Sequence, residues 1–323
     1  MINRRACCGW AAAAWLPAGA QPSRPWRLAT GYRESSFHGQ NLLWLAQQVA
    51  AGGGPAIELH ANNKLAPLAS ITTLLRDGGA EMGEVIMTVL AAEMPVAGAD
   101  SLPFVVNSYA DAARLWSHQR ALIAEACAPL GLRPLMAVPW PPQGLYCTRP
   151  VQRVEDLAGL RMRTYDSTTE QIARWLDATP VAVPMVDVAQ ALAARRFDCM
   201  LTSAVTGVEN EVWRYLTHFY EVNAWIPKNL TLVSTRAWTT LSSAQRDTMQ
   251  AAAAAAENRG WAQSELVAQQ ALAGLRAAGM KVERPGHALR AGLARLGERF
   301  SLQWVRQHGS SANRMFIPYH SQR

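Results

Sequence analysis

Two arginines two positions apart, Arg161 and Arg163 in "GLRMRTYD", are the residues of this chain whose type and placement point most directly to chemistry. In a strand, side chains alternate between faces, so Arg161, Arg163 and Tyr165 share one face and Met162 and Thr164 the other. Ser167 followed by Glu170 is a capping-box pattern, which predicts a helix directly after the strand. Arg163 then stands at the carboxyl end of a strand beside a helix N-terminus, where free amide groups and the helix dipole favour an anion. A guanidinium matches a carboxylate in shape and can bind it through two parallel hydrogen bonds. An inter-element salt bridge is the other use of an arginine here, and Arg161, at the start of the strand, suits it.

Catalytic patterns are missing by comparison. The chain has no G-x-S-x-G elbow, no H-E-x-x-H, no phosphate-binding glycine–lysine loop and no G-x-G-x-x-G after its first strand. Its seven histidines are scattered; His38 and His60 lie near strand ends, each without a catalytic companion. The reading is a protein that is not an enzyme, with no catalytic residues, no metal site and no cofactor.

The elements that must position Arg163 form an alternating series. "WRLATGY" reads as a strand, "NLLWLAQQVAA" as a helix stopped by Gly52-Gly53-Gly54-Pro55, "AIELHAN" as a strand, "LASITTLLRDGG" as a helix and "EMGEVIMTV" as a strand. Another helix covers about 109 to 128. A second series runs through "RPLMAVPW", "QGLYCTR", "LRMRTYD", a helix from Thr168, "TPVAVPM", the helix "VDVAQALAARR" and the strand "FDCMLTS". This order predicts an α/β fold of two domains, each a mixed, mostly parallel sheet flanked by helices. "WIPKNLTLVST" reads as a return strand. The alanine-rich stretch after Ser243 reads as a helix of roughly 54 Å joining the two units, with a bend at Gly260.

Composition bounds the rest. The 323 residues are half apolar, enough for two cores. Arg4 and Arg5, the uncharged stretch Ala6 to Pro17 and Ala18-Gly19-Ala20 make the three parts of a signal peptide over residues 1–20, cleaved before Gln21. Cys7 and Cys8 precede that point, so the expected mature chain has no lipid-anchoring cysteine and is a soluble periplasmic protein. It keeps Cys127, Cys147 and Cys199, an odd number with no metal-site spacing, in a core that does not need a staple. Without Arg4 and Arg5, 29 basic residues face 24 acidic ones with no basic block, which speaks against a nucleic-acid surface.

Together "DLAGLRMRTYDSTTEQIA", "ATPVAVPMVDVAQAL", "FDCMLTSAVTG", "EMGEVIM", "DSLPF" and "WPPQGLYCTRPV" resemble the DctP-type solute-binding proteins of tripartite ATP-independent periplasmic (TRAP) transporters. The resemblance runs from about Trp26 to near residue 310. It implies a two-domain receptor that closes on a solute and delivers it to membrane permease subunits. Domain I would comprise 26–142 plus 229–268, and domain II 143–228 plus 269–323, in a monomer.

In that family the second basic residue of a "KGLKIR"-like segment contacts the ligand carboxylate, which corresponds to Arg163. Many sialic-acid-type members place another arginine after the hinge, where this chain has Gln143. The "DGQENP" segment becomes Asp198 to Ser203, leaving Thr202 or Ser203 as hydroxyl donors. Glu84, Trp140, Met185, Trp225 and Asn229 are further residues expected to face the cleft. The implied ligand is a small organic acid, a 2-oxo or an aromatic or branched monocarboxylate, with a C4-dicarboxylate as the alternative. An exported α/β enzyme acting on small acids is the alternative from another class, and a secreted sensor subunit a third.

Overall fold

The computed structural model describes residues 24–321, so the expected signal peptide over residues 1–20 lies outside the described residues. The first half alternates β1 (Trp26–Thr30), α1 (Phe37–Ala51), β2 (Ile57–His60), α2 (Ile71–Arg76) and β3 (Met82–Ile86), then continues through α3 (Tyr109–Cys127) to β4 (Leu132–Pro139). The second contains β5 (Gln143–Cys147), β6 (Arg161–Thr164), α4 (Ser167–Trp175), β7 (Thr179–Ala182), α5 (Val188–Ala193), β8 (Cys199–Ser203), α6 (Ala204–Glu209) and β9 (His218–Tyr220). The chain then returns through β10 (Lys228–Ser234), α7 (Thr235–Thr240), α8 (Ser243–Ala277), β11 (Lys281–Glu283) and α9 (His287–Ser321).

These strands make two mixed sheets flanked by helices, ordered β2-β1-β3-β10-β4 and β11-β9-β5-β8-β6-β7. In each sheet the antiparallel pairs involve the strand that arrives from the other half. β10 runs antiparallel to both β3 and β4, and β5 to both β8 and β9. The two crossovers lie side by side and bond to each other, Trp140 N donating to Pro227 O at 2.8 Å and Gln143 N to Trp225 O at 2.9 Å.

The first sheet is buried on both faces. On one, Leu42, Leu45 and Val49 of α1 pack with Met249, Ala252, Ala253 and Ala256 of α8; on the other lie Ile71, Leu75, Leu115 and Ile123. The alanines explain the composition of α8, because small side chains let a long helix lie close to both α1 and β4. Farther along, Ala271 and Leu275 of the same helix pack in a core of the second half.

Three expectations change. The helix runs unbroken through Gly260, which serves close packing: a Cβ there would sit 2.6 Å from Val138 Cγ2 and 3.0 Å from Asn41 Nδ2. The cap of α4 is Asp166 rather than Ser167, because Asp166 accepts the Thr169 N–H at 2.8 Å while the Thr169 hydroxyl accepts the Asp166 N–H at 3.1 Å. Residues 269–323 do not all pack in the second half. In α9, Leu289, Leu293, Leu296 and Phe300 join its core, but after non-helical backbone at Gly309 (φ 39°, ψ −107°) Ala312, Met315, Phe316 and Tyr319 join the first. The strands β9 and β11, of three residues each, and the helices α6 and α7, of six residues each, are too short to give a pattern in the sequence, and α9 was not read from it either.

Among the described residues no helix is long and apolar enough to cross a membrane, and no cluster of His, Cys, Asp and Glu could hold a metal ion.

Candidate functional site

Parallel strands in both sheets point their carboxyl ends toward a shared cleft, the edge at which open α/β sheets bind ligands. Gly31 and Tyr32 follow β1, Asn63 and Leu68 follow β2, and Thr88 and Val89 follow β3. From the other half, Tyr165 and Asp166 follow β6, Val183 to Val186 follow β7, and Thr202 and Ser203 end β8. With Trp140, Gln143 and Pro227 of the crossovers they line a cavity of about 580 Å³.

Arg163 lies in its wall, 2 % exposed. Its Nε donates to Val183 O at 3.0 Å, and its guanidinium lies 4.9 Å from the centre of the Tyr165 ring. Burial pushes its pKa down to about 10. Among the described residues no carboxylate forms an ion pair with it. Asp166 acts on it electrostatically but engages Thr169 through Oδ1. A cation taken out of water without an ion-pair partner is costly, which makes Arg163 the candidate of this wall for meeting an anion. Arg161, by contrast, is an exposed salt bridge: its backbone N, Nε and NH2 donate to the Asp198 carboxylate at 3.0, 2.9 and 2.6 Å.

Asp166 is the other charged group of interest. Burial raises its pKa, partly opposed by the Thr169 hydrogen bonds, by Arg163 and by the neighbouring Thr88 hydroxyl. Its Oδ2 is buried and has no hydrogen-bond partner of good geometry. The remaining wall is largely apolar or aromatic, with Ile86, Val89, Met185 and Val186 beside Tyr32 and Trp140. The Tyr32 and Trp140 rings lie 5.1 Å apart, and the Tyr32 hydroxyl and Trp140 Nε1 both donate to Asn229 Oδ1, at 3.3 and 2.8 Å.

Of the residues expected at the site, Arg163, Gln143, Trp140, Met185, Thr202 and Ser203 line this cavity, whereas three others do not face it. Glu84 is buried within the first sheet, accepting from Thr30 Oγ1 at 3.0 Å and lying 3.2 Å from His38 Nδ1. Trp225 is wholly buried in the second core with its indole against Tyr165. Asn229 sits behind Trp140 and positions it. Neighbours of the correct chain position took their places in the wall. Tyr32, Thr88, Tyr165 and Asp166 were missed, although each follows the carboxyl end of a strand, and Tyr165 shares the face of Arg163.

The model described as bacterial extracellular solute-binding protein, family 7, the DctP family, matches residues 29–295. The chain belongs to this family. Within it, DctP6, a Bordetella pertussis extracytoplasmic solute receptor binding pyroglutamic acid, is 32% identical, with a TM-score of 0.90 over 92% of this chain and 100% of that one. A marine metagenome TRAP solute-binding protein specific for pyroglutamate is 31% identical, with a TM-score of 0.89 over 93% of this chain and 100% of that one. A receptor from Chromohalobacter salexigens with bound D-glucuronate, 20% identical at a TM-score of 0.84 over 91% and 99% of the two chains, shares the fold. No curated protein matches the chain. Family 7 members of this kind are TRAP transport receptors for small acids, and this chain has their two-domain architecture.

Proposed function

We propose that this chain is a periplasmic receptor for a small monocarboxylate that also carries a hydrogen-bond donor, pyroglutamate above all, which it hands to TRAP permease subunits. The observation that carries the reading is Arg163, buried in the cavity wall with no ion-pair partner among the described residues. The ligand carboxylate pairs with its guanidinium. A ring N–H reaches the unpaired Asp166 Oδ2, and the Gln143 amide and Thr202 hydroxyl complete the polar contacts. Gln143 brings no charge, so a second carboxylate would be desolvated beside Asp166 without a cation of its own. The pyroglutamate-binding receptors at about one-third identity support the same ligand.

The apolar wall of Ile86, Val89, Met185 and Val186 favours a second reading, a branched or aromatic 2-oxo acid. Such an acid sets a carbonyl rather than a donor against Asp166. In either case the two halves close about the crossovers near Gln143 and Lys228 and about α8, burying the ligand.

Calorimetry on the exported chain, freed of bound solute by unfolding and refolding, tests the proposal. Pyroglutamate should bind at least tenfold more tightly than phenylpyruvate, a branched 2-oxo acid or succinate. Tighter binding of phenylpyruvate or the branched acid would select the second reading, and tighter binding of succinate would overturn both.

A further inference from the structure

Cys147 and Cys199 stand directly opposite each other in the antiparallel ladder of β5 and β8. Their position in the hydrogen-bond pattern matters. Thr148 N donates to Asp198 O at 3.0 Å, one residue beyond each cysteine, so the pair occupies a non-hydrogen-bonded site. Such sites bring opposed Cα atoms to about 4.5 Å, within the roughly 4.4–6.8 Å that a disulfide spans. Both side chains are wholly buried in the same apolar cluster on one face of the sheet, as free thiols, with Cys199 Sγ donating to Arg161 O at 3.7 Å. Cys127 is remote from them, against Met94 Sδ at 3.8 Å. The family is extracytoplasmic, and thiols that meet in an exported protein meet in an oxidising compartment.

We propose that Cys147 and Cys199 are a redox site, oxidised to a cross-strand disulfide during folding in the exported protein while Cys127 stays a thiol. The oxidant is a disulfide, carried by a thiol oxidase or a small molecule. One cysteine thiolate attacks it to form a mixed disulfide, and the second displaces the oxidant's remaining sulfur. Two thiol protons leave, one S–S bond forms, and the oxidant departs as two thiols. In the folded chain burial raises the Cys147 thiol well above its ordinary range and shields both sulfurs, so the exchange belongs to the folding chain, before Leu157, Leu289 and Leu293 complete the core around the pair. The bond ties the strand that begins at Gln143 to the strand that ends at Thr202 and Ser203, two walls of the cavity that the chain otherwise joins only through the sheet.

The test uses the exported chain after loss of residues 1–20, and so of Cys7 and Cys8, unfolded in denaturant with excess iodoacetamide and no reductant. Intact mass should show one alkyl adduct per chain, on Cys127, and digestion should release a linked peptide pair containing Cys147 and Cys199. Reduction before alkylation should give three adducts and lower the melting temperature of the folded protein. Three adducts without reductant, or a linkage that includes Cys127, would overturn the proposal.

Discussion

The Trp140 indole N–H donates to Asn229 Oδ1 at 2.8 Å, so a residue outside the cavity holds one of its aromatic walls. Both residues are buried, and each comes from a different side of the paired crossovers. Asn229→Ala leaves that N–H without its acceptor, at a cost of about 1–3 kcal/mol. The expected outcome is a lower melting temperature and an affinity loss of about fivefold, since a wall displaced by roughly 1 kcal/mol acts on the ligand indirectly. Unchanged affinity in calorimetry, with stability lowered, would remove Trp140 from the ligand contacts.

Arg163 and Arg161 should separate binding from stability. Arg163→Ala removes the carboxylate partner, and loss of a buried charged pair costs about 2–5 kcal/mol of binding, which is more than tenfold in Kd. Arg161→Ala should leave Kd nearly unchanged and lower folding stability only slightly, as expected for a solvent-exposed pair. Equal, small effects on Kd would place the carboxylate elsewhere.

Binding of a donor-bearing ligand should weaken on acidification earlier than an ordinary aspartate would allow. Burial raises the Asp166 pKa, so the carboxylate that accepts the ligand N–H is protonated at higher pH than a solvated one. The ligand carboxylate, an ordinary α-carboxyl, is still ionised there. In the unliganded chain the same shift acts on folding with a definite sign: the contribution of Asp166 is greatest below its unfolded pKa and is lost as pH rises through the folded value. Calorimetric titrations of pyroglutamate and of its lactone counterpart, with ring oxygen in place of N–H, check this across the acid range. The lactone should bind more weakly at neutral pH and lose less on acidification. Parallel pH profiles would exclude Asp166 as the acceptor.

Gly260→Ala should destabilise the protein even though alanine favours a helix by about 1 kcal/mol. Its Cβ would approach Val138 Cγ2 to 2.6 Å, and overpacking of this kind costs about 1–3 kcal/mol. Urea unfolding measures the balance; a stabilised variant would show that α8 can shift away from β4.

Local order was legible in the sequence wherever a short window contains the physical cause. The alternation of "GLRMRTYD", the break at Gly52-Gly53-Gly54-Pro55 and the helix of 35 residues in the alanine-rich stretch appear where patterning placed them, although the bend expected at Gly260 does not. Arg163 was legible for the same reason, because a strand end followed by a helix start is a local event. The cap of α4 lay one residue earlier than its pattern suggested, since aspartate, serine and threonine compete for the same amides. What no window contains is direction across the fold. Glu84, Trp225 and Asn229 sit on the expected segments, but whether a side chain meets the cavity or the protein interior depends on what packs from the other half. Glu84 turns to Thr30 and His38, Trp225 to the second core, and Asn229 to Trp140. The return of α9 to the first core after Gly309, and the opposition of Cys147 to Cys199, are likewise set by register and docking between residues far apart in the chain. Sequence determined most of the elements and the place of Arg163 at a strand end; tertiary packing decided which of their neighbours face the cavity, because burial is a property of surfaces that meet only in the folded chain.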